Sequence, residues 1–355
     1  MSRTQWIFID PLDTLFFKGS EPMVAGENHE VRSVFPPAPS TLSGAICTAV
    51  LRQKGIQPAR FVDSPQGISD LPLLGSSDAL GIEVIGPLLH IDFKDGTGEW
   101  FIPAPANWFI CEPTAIGEED FCEVAVSVAE VPADGFSSLG LMGSTPLPAW
   151  VMNPKSQDMK GLSGYWINTA ALEAVIHGKD TIRMYESIKK IRAGEPILAS
   201  LKFFLDFETR VGIALEDRTR KVKKGHLYST TQVRLQTGVR IGVGLQSDMI
   251  PSHLNEKGTL QLGGEQRVSS YEHHAEGPSF PTGQTAWIMA LSIFPFQTLK
   301  EHGWEELPRV SGAILRMGGW DMKKQFHKPM KAYLPQGTVI RIGEDASIPR
   351  GFIRI

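Results

Sequence analysis

The four residues from Trp6 to Ile9, inside "TQWIFIDPLDTLFFKG", are apolar on both alternating faces. Successive side chains of a strand point to opposite sides, so a run of this kind has to be covered from above and below. That requirement imposes a layered architecture: a central strand opens a sheet, and other elements pack over it. With 355 residues and 42% hydrophobic content, the chain can bury such a core without disulfide staples, and it is long enough for two domains.

A one-faced helix comes next. In "SVFPPAPSTLSGAICTAVLRQKG" the prolines run up to Pro39, Ser40 stands where an N-cap belongs, and Leu42, Ala45, Ile46, Ala49 and Val50 recur at helical spacing before Gly55. The pattern predicts a helix of roughly 14 residues. Gly44 inside it costs about 1 kcal/mol relative to Ala, which predicts a close approach by another backbone. A second short helix, "NTAALEAVIHGK", is capped by Asn168 or Thr169 and stopped at Gly178. The stretches 64–81 and 133–164 are rich in Gly, Pro and Ser and predict long loops. Further on, "KFFLDFETRVGIALED" and "HLYSTTQVRLQTGVRIGVGL" flank the turn "EDRTRKVKKG", so Val211 to Leu245 reads as a hairpin followed by more strand. "GQTAWIMALSIFPFQTLKEHGW" reads as a long apolar helix or a strand–helix pair, and Gly318, Gly319 and Trp320 as a glycine-rich loop between two strands. Neither G-x-G-x-x-G nor G-x-x-x-x-G-K-[ST] occurs, and the alternation of strands with short helices predicts α+β sheets with helices on one face.

The net charge of −4 by itself argues against a free-standing nucleic-acid binder. Its distribution argues differently. Residues 1–178 hold 9 Lys/Arg against 21 Asp/Glu, residues 179–240 hold 14 against 7, and residues 241–355 hold 12 against 11, so the middle is the basic part. One basic face for a polyanion and an acidic face for a basic partner fit this split. Within it, Arg218, Arg220, Lys221, Lys223 and Lys224 sit together at the predicted hairpin tip. Such residues also blunt exposed strand edges, yet five on one projecting ribbon favour a polyanion. Three cysteines, Cys47, Cys111 and Cys122, have no metal-ligand spacing and an odd count, which points to a reducing, cytoplasmic location. The N-terminus is too acidic for a signal peptide, and no run reaches the ~20 apolar residues of a membrane helix.

Catalytic signatures are weak. Glu272, His273 and His274 adjoin, but adjacent histidines of a strand point apart, H-E-x-x-H is absent, and no metal or other cofactor is expected. G-x-S-x-G is also absent; "GLSGYW" at 161–166 has the wrong spacing. A metal-independent ribonuclease needs an acid and a base, which His226, Tyr228, Tyr271, His273 and His274 could supply, but nothing in the sequence brings two of them together. In "LGGEQR", Gly263 and Gly264 admit another chain close by, while Glu265 and Arg267 fall on the same side of an extended segment and can pair. A structural turn and a ligand cradle both fit. An acid–base pair does not, because Arg stays protonated.

Five blocks in order, "IDPLDTLFFKGSEPM", "SVFPPAPSTLSGAI", "ETRVGIALEDRTRKVKKGHLY", "LGGEQR" and "GGWDMKKQFHKPMKAYLPQGTVI", resemble the third-subunit family of the Cmr effector complex of type III-B CRISPR systems. The resemblance implies a RAMP protein of two ferredoxin-like, RRM-related domains with long loop insertions, here residues 1–200 and 201–355. It implies a non-catalytic subunit that caps the 5′ handle of the guide RNA (crRNA), lies along the guide–target RNA duplex, and contacts the large polymerase-like subunit and the first backbone subunit. The RNA-binding residues it implies are Ser40, Thr41, Ser43 and Gly44 at the helix start, Arg210 and the ribbon from Arg218 to Lys224, Gly263, Gly264 and Arg267 in the turn, and Arg316, Gly318, Gly319, Trp320, Lys323, Lys324 and Lys328 near the second glycine pair. A stand-alone endoribonuclease that processes CRISPR repeat RNA shares this architecture and is the alternative.

Overall fold

The architecture is α+β, rich in strands and with few helices, in a computed structural model that describes residues 4–19, 30–64, 67–76, 80–111, 121–132, 147–152, 154, 158–185, 187–215, 221–246, 253–281, 285–321, 324 and 326–355. The chain divides into two compact units, each gathered from three stretches. The first takes Met1–Val84, Leu205–Gly277 and Arg316–Lys331, and the second takes Ile85–Phe204, Pro278–Leu315 and Ala332–Ile355.

In the first unit the strand Thr4–Pro11 is central, as its two-faced pattern requires: Trp6, Ile7, Phe8 and Ile9 are all buried. It pairs antiparallel with Val239–Gln246 on one side and Val268–His274 on the other, so that Ile7 lies opposite both Val243 and His273. Lys257–Gln261 pairs antiparallel with Val268–His274 and forms the outer strand. Against it packs the helix Pro39–Gln53, which buries Leu42, Ala45, Ile46, Ala49 and Val50, the apolar stripe of the sequence. The helix starts two residues earlier than its sequence signals indicate. Ala38 is the N-cap and Pro39 the first helical residue, where a missing N–H costs nothing, so Ser40 does not cap. No heavy atom lies within 4 Å of where a Gly44 Cβ would sit, which overturns the expected close backbone; the Thr48 hydroxyl donates to the Gly44 carbonyl instead.

A long antiparallel ribbon joins Leu205–Leu215 to Val222–Leu235, in register from Leu205 opposite Leu235 to Ile213 opposite Leu227, with a shift between Ile213 and Leu215. Glu30–Arg32 adds to it in parallel. Mutual backbone hydrogen bonds of 2.8 Å between Leu15 and Val233 tie the ribbon to the segment after the first strand. Leu315–Asp321 and Phe326–Leu334 form another hairpin. Gly318 and Gly319 therefore lie within a strand, a correction to the expected glycine-rich loop. A Cβ on Gly318 would stand 3.0 Å from the Met330 sulfur and 3.3 Å from the Lys328 carbonyl oxygen, which is where the glycine is needed.

The second unit carries a mixed sheet in the order Val84–Asp92, Gly98–Pro103, Trp166–Asn168, Ile197–Ala199, Thr181–Tyr185, Phe121–Val128, Trp108–Ile110 and Lys160–Gly161. Its helix Thr169–Ile176 is capped by Asn168, whose Oδ1 accepts from the Ala171 and Ile197 N–H groups while its Nδ2 donates to the Glu195 carbonyl. A four-stranded sheet, Arg309–Val310, Val339–Arg341, Trp287–Ala290 and Phe352–Arg354, covers Ile288, Leu299, Trp304, Leu334 and Ile340. The stretch read as a long helix or strand–helix pair is the latter: Trp287–Ala290 and Phe294–Pro295 precede a short helix, Gln297–Glu301. Of the predicted loops, 64–81 contains a 3₁₀ turn at Pro72–Leu74, and 133–146 lies outside the described residues.

Candidate nucleic-acid interface

The turn "GGEQR" is held from both sides in the first unit. Gly263 has φ +81°, and a Cβ there would come within 2.4 Å of the Phe16 carbonyl oxygen; Gly264 donates its N–H to that same oxygen at 2.7 Å. The close second chain expected from the glycine pair is the Leu15–Phe17 segment. Glu265 and Gln266 also take positive φ, 57° and 54°, a conformation L side chains adopt only when neighbours hold it. Gln232 does so here: its Nε2 donates to Glu265 Oε2 at 2.9 Å, and its Oε1 accepts from the Thr14 hydroxyl. Arg267 donates to the same Glu265 oxygen at 2.7 Å, the pair anticipated from the i, i+2 spacing.

Around this turn three arginines share three carboxylates. Asp13 accepts from Arg210, Arg234 and Arg267 at 3.0–3.2 Å, and Glu208 accepts from Arg210 at 3.1 Å and from Arg234 at 2.6 Å. Burial pushes the Asp13 carboxyl upward, but the hydrogen bonds from Arg234 and Arg210 outweigh it and hold Asp13 below the usual carboxylate range. Glu208 is lowered first of all by its hydrogen bond from Arg234. With Glu265 included the cluster is electrically balanced. Arg210 and Arg267, both candidate RNA ligands, spend their guanidinium groups on this lattice. Asp13 and Arg234 were missed by the sequence reading; the only available signal was an acidic residue just after the buried first strand, in "DPLD".

The remaining candidate cations sit on the two hairpins. Lys221 is exposed at the start of the second ribbon strand, while Arg218 and Arg220 lie outside the described residues, as do the side chains of Lys223 and Lys224. One face of the ribbon presents Phe207, Val211 and Ile213 at alternate positions, all exposed. On the other face a Gly212 Cβ would collide with the Tyr228 ring at 2.4 Å, so Tyr228 lies over the glycine. The second hairpin exposes Arg316, Lys324, Lys328 and Lys331; Lys323 and the Trp320 side chain lie outside the described residues. At the helix start Ser40 is exposed and Thr41 half-buried, but Ser43 is buried and donates to the Ser40 carbonyl.

Of the acid–base candidates that the structure describes, Tyr271 and His274 are engaged separately. Tyr271 is buried, accepts a hydrogen bond from Gln53, and has its phenol pushed up by burial. The His274 ring lies tilted against Phe8, with centroids 4.3 Å apart. The His226 side chain lies outside the described residues. Among the described residues no three His, Cys, Asp or Glu side chains are grouped as metal ligands would be, and no helix is long and apolar enough to cross a membrane.

A family model described as "CRISPR-associated protein (Cas_Cmr3)" matches residues 7–289. No curated protein matches the chain. Among solved structures, a chain of the type III-B Cmr-beta complex bound to cognate target RNA and AMPPnP is 16% identical, with a TM-score of 0.50 over 95% of this chain and 86% of that one. A chain of Cmr-beta bound to cognate target RNA is 15% identical, with a TM-score of 0.49 over 95% and 86%. A chain of the Csm3–Csm4 subcomplex of the type III-A interference complex is 12% identical, with a TM-score of 0.42 over 96% and 94%. At 16% identity the first likeness bears on the fold alone. The model match spans most of the sequence and bears out the resemblance carried by the five blocks: this chain belongs to the Cas_Cmr3 family of CRISPR-associated proteins.

Proposed function

We propose that this chain is a non-catalytic, RNA-binding subunit of a type III-B CRISPR interference complex. In this reading it caps the 5′ handle of the guide RNA, lies along the guide–target duplex, and contacts the large polymerase-like subunit and the first backbone subunit. The observation that carries it is the hairpin exposing Arg316, Lys324, Lys328 and Lys331. A phosphodiester backbone is held by such scattered cations and by close backbone approach, with no need for a catalytic set. The surrounding assembly explains why a chain with net charge −4 can take part in gripping RNA. The two ferredoxin-like domains, 1–200 and 201–355, and a cytoplasmic location belong to the same proposal.

The test is reconstitution with the partner subunits and guide RNA, comparing the wild type with a variant carrying Arg316, Lys324, Lys328 and Lys331 all changed to Gln. We expect a loss of guide retention that steepens with salt, the mark of lost phosphate contacts. Unchanged guide content and target affinity at every salt concentration would remove the hairpin from the interface. Metal-independent cleavage of repeat RNA by the purified chain, abolished by His273→Gln, would replace this reading with the endoribonuclease one.

A further inference from the structure

Outside the arginine cluster, the first unit has a polar groove of about 360 Å³ between the last turns of the helix Pro39–Gln53 and the outer strand Lys257–Gln261. Its floor is fixed: Gln53 donates to the Tyr271 hydroxyl at 2.5 Å and accepts from the Asn255 N–H at 3.0 Å. Gly258 lets the floor close up, since a Cβ there would stand 2.9 Å from the Tyr271 oxygen. Arg52 and Lys257 line the walls, with Thr259, Gln261 and Asn255 as the other polar groups.

These two cations differ from the arginines around Asp13. Arg52 is oriented by a neutral partner, donating from Nη2 to Gln261 Oε1 at 2.8 Å, and among the described residues neither Arg52 nor Lys257 meets a carboxylate. The acid opposite Lys257 across the strands is Glu272, and it is already engaged by Arg240 at 2.6 Å. Glu256, next to Lys257, is exposed and does not line the groove. Two uncompensated charges, one of them a guanidinium held in a set orientation, thus face a polar hollow large enough for a nucleotide.

We propose that this groove is a phosphate-binding site, with Arg52 and Lys257 holding the phosphate and Gln261, Asn255 and Thr259 offering hydrogen bonds to the attached sugar or base. The phosphate can belong to a free nucleotide or to a single-stranded RNA; only the RNA source rests on the RNA-binding reading above. The full-length chain is titrated with AMP and, separately, with a ten-nucleotide single-stranded RNA, in the wild type, in R52Q/K257Q and in R52K. The expected result is at least a tenfold loss of affinity for one or both ligands in R52Q/K257Q, with most of the binding kept by R52K. For RNA the salt slope should also flatten by about 0.7, the value for one phosphate no longer neutralised on a single strand. Loss confined to AMP assigns the groove to free nucleotides, and loss confined to RNA assigns it to the backbone. If neither ligand binds the wild type, or if R52Q/K257Q binds both as the wild type does, the groove is not a phosphate site, whatever becomes of the hairpin. Thermal unfolding of each variant checks that the fold is kept.

Discussion

Two sets of cations in the first unit face opposite requirements. Arg210, Arg234 and Arg267 are matched one for one by Asp13, Glu208 and Glu265, so their charge is consumed within the protein. Among the described residues Arg52 and Lys257 meet no carboxylate, and the guanidinium is steadied by an amide. A basic residue in the sequence is therefore no measure of available positive charge. What decides is whether the fold supplies the counter-ion.

The most damaging way to break that contrast is Gly263→Ala. It combines strain at φ +81° with a collision against the Phe16 carbonyl, and we expect a loss of about 2 kcal/mol or more, read as a large drop in thermal midpoint. Both regions should suffer, because the turn supports both. The R52Q/K257Q variant should separate them: at least a tenfold weaker ligand and a midpoint within about 1 °C of the wild type, since surface changes away from packed features cost little. Asp13→Asn should do the reverse. It leaves three guanidinium groups short of a carboxylate, and because Asp13 is half-exposed to solvent the cost is only about 1 kcal/mol, with ligand binding in the groove unchanged.

The pH dependence sharpens the same comparison. Asp13 and Glu208 are held below their ordinary values of 3.8 and 4.5 in the folded chain, so their stabilisation is complete above those values and fades as pH falls through the lowered ones. The gap in midpoint between wild type and Asp13→Asn should therefore be constant near neutrality and close below about pH 4. A gap that persists in acid would mean the arginines are held by something other than charge. The smallest effect should come from Gly44→Ala, in a helix with nothing within 4 Å of the new methyl group: a stabilisation of about 0.5–1 kcal/mol and no change in either region.

Local signals carried the sequence reading as far as local physics reaches. The buried first strand, the helix stripe, the Asn168 cap, the ribbon and the Glu265–Arg267 pair each depend on residues a few positions apart, and each was legible. Ser40 was mistaken for a cap because Pro39 also starts helices and the two signals are adjacent. Gly318 and Gly319 read as a loop because glycine marks turns, whereas the cause is the Met330 and Lys328 strand lying alongside. Asp13, the carboxylate that Arg210, Arg234 and Arg267 share, was invisible as a counter-ion, because it is remote in sequence and meets them only once the sheet has formed. The groove was hidden for the same reason: Arg52 and Lys257 belong to elements that meet in space alone.

The interleaving of the two units has a consequence for how the protein is made. Ile7 waits for Val243 and then His273 before its sheet is complete, and Trp287–Ala290 waits for Phe352–Arg354 at the very end of the chain. Neither unit can finish while its C-terminal stretches are still inside the ribosome, so a nascent chain carries an unpaired, strongly apolar first strand through most of its synthesis. The order in which the strands are threaded thus ties the completion of each unit to residues made late in synthesis.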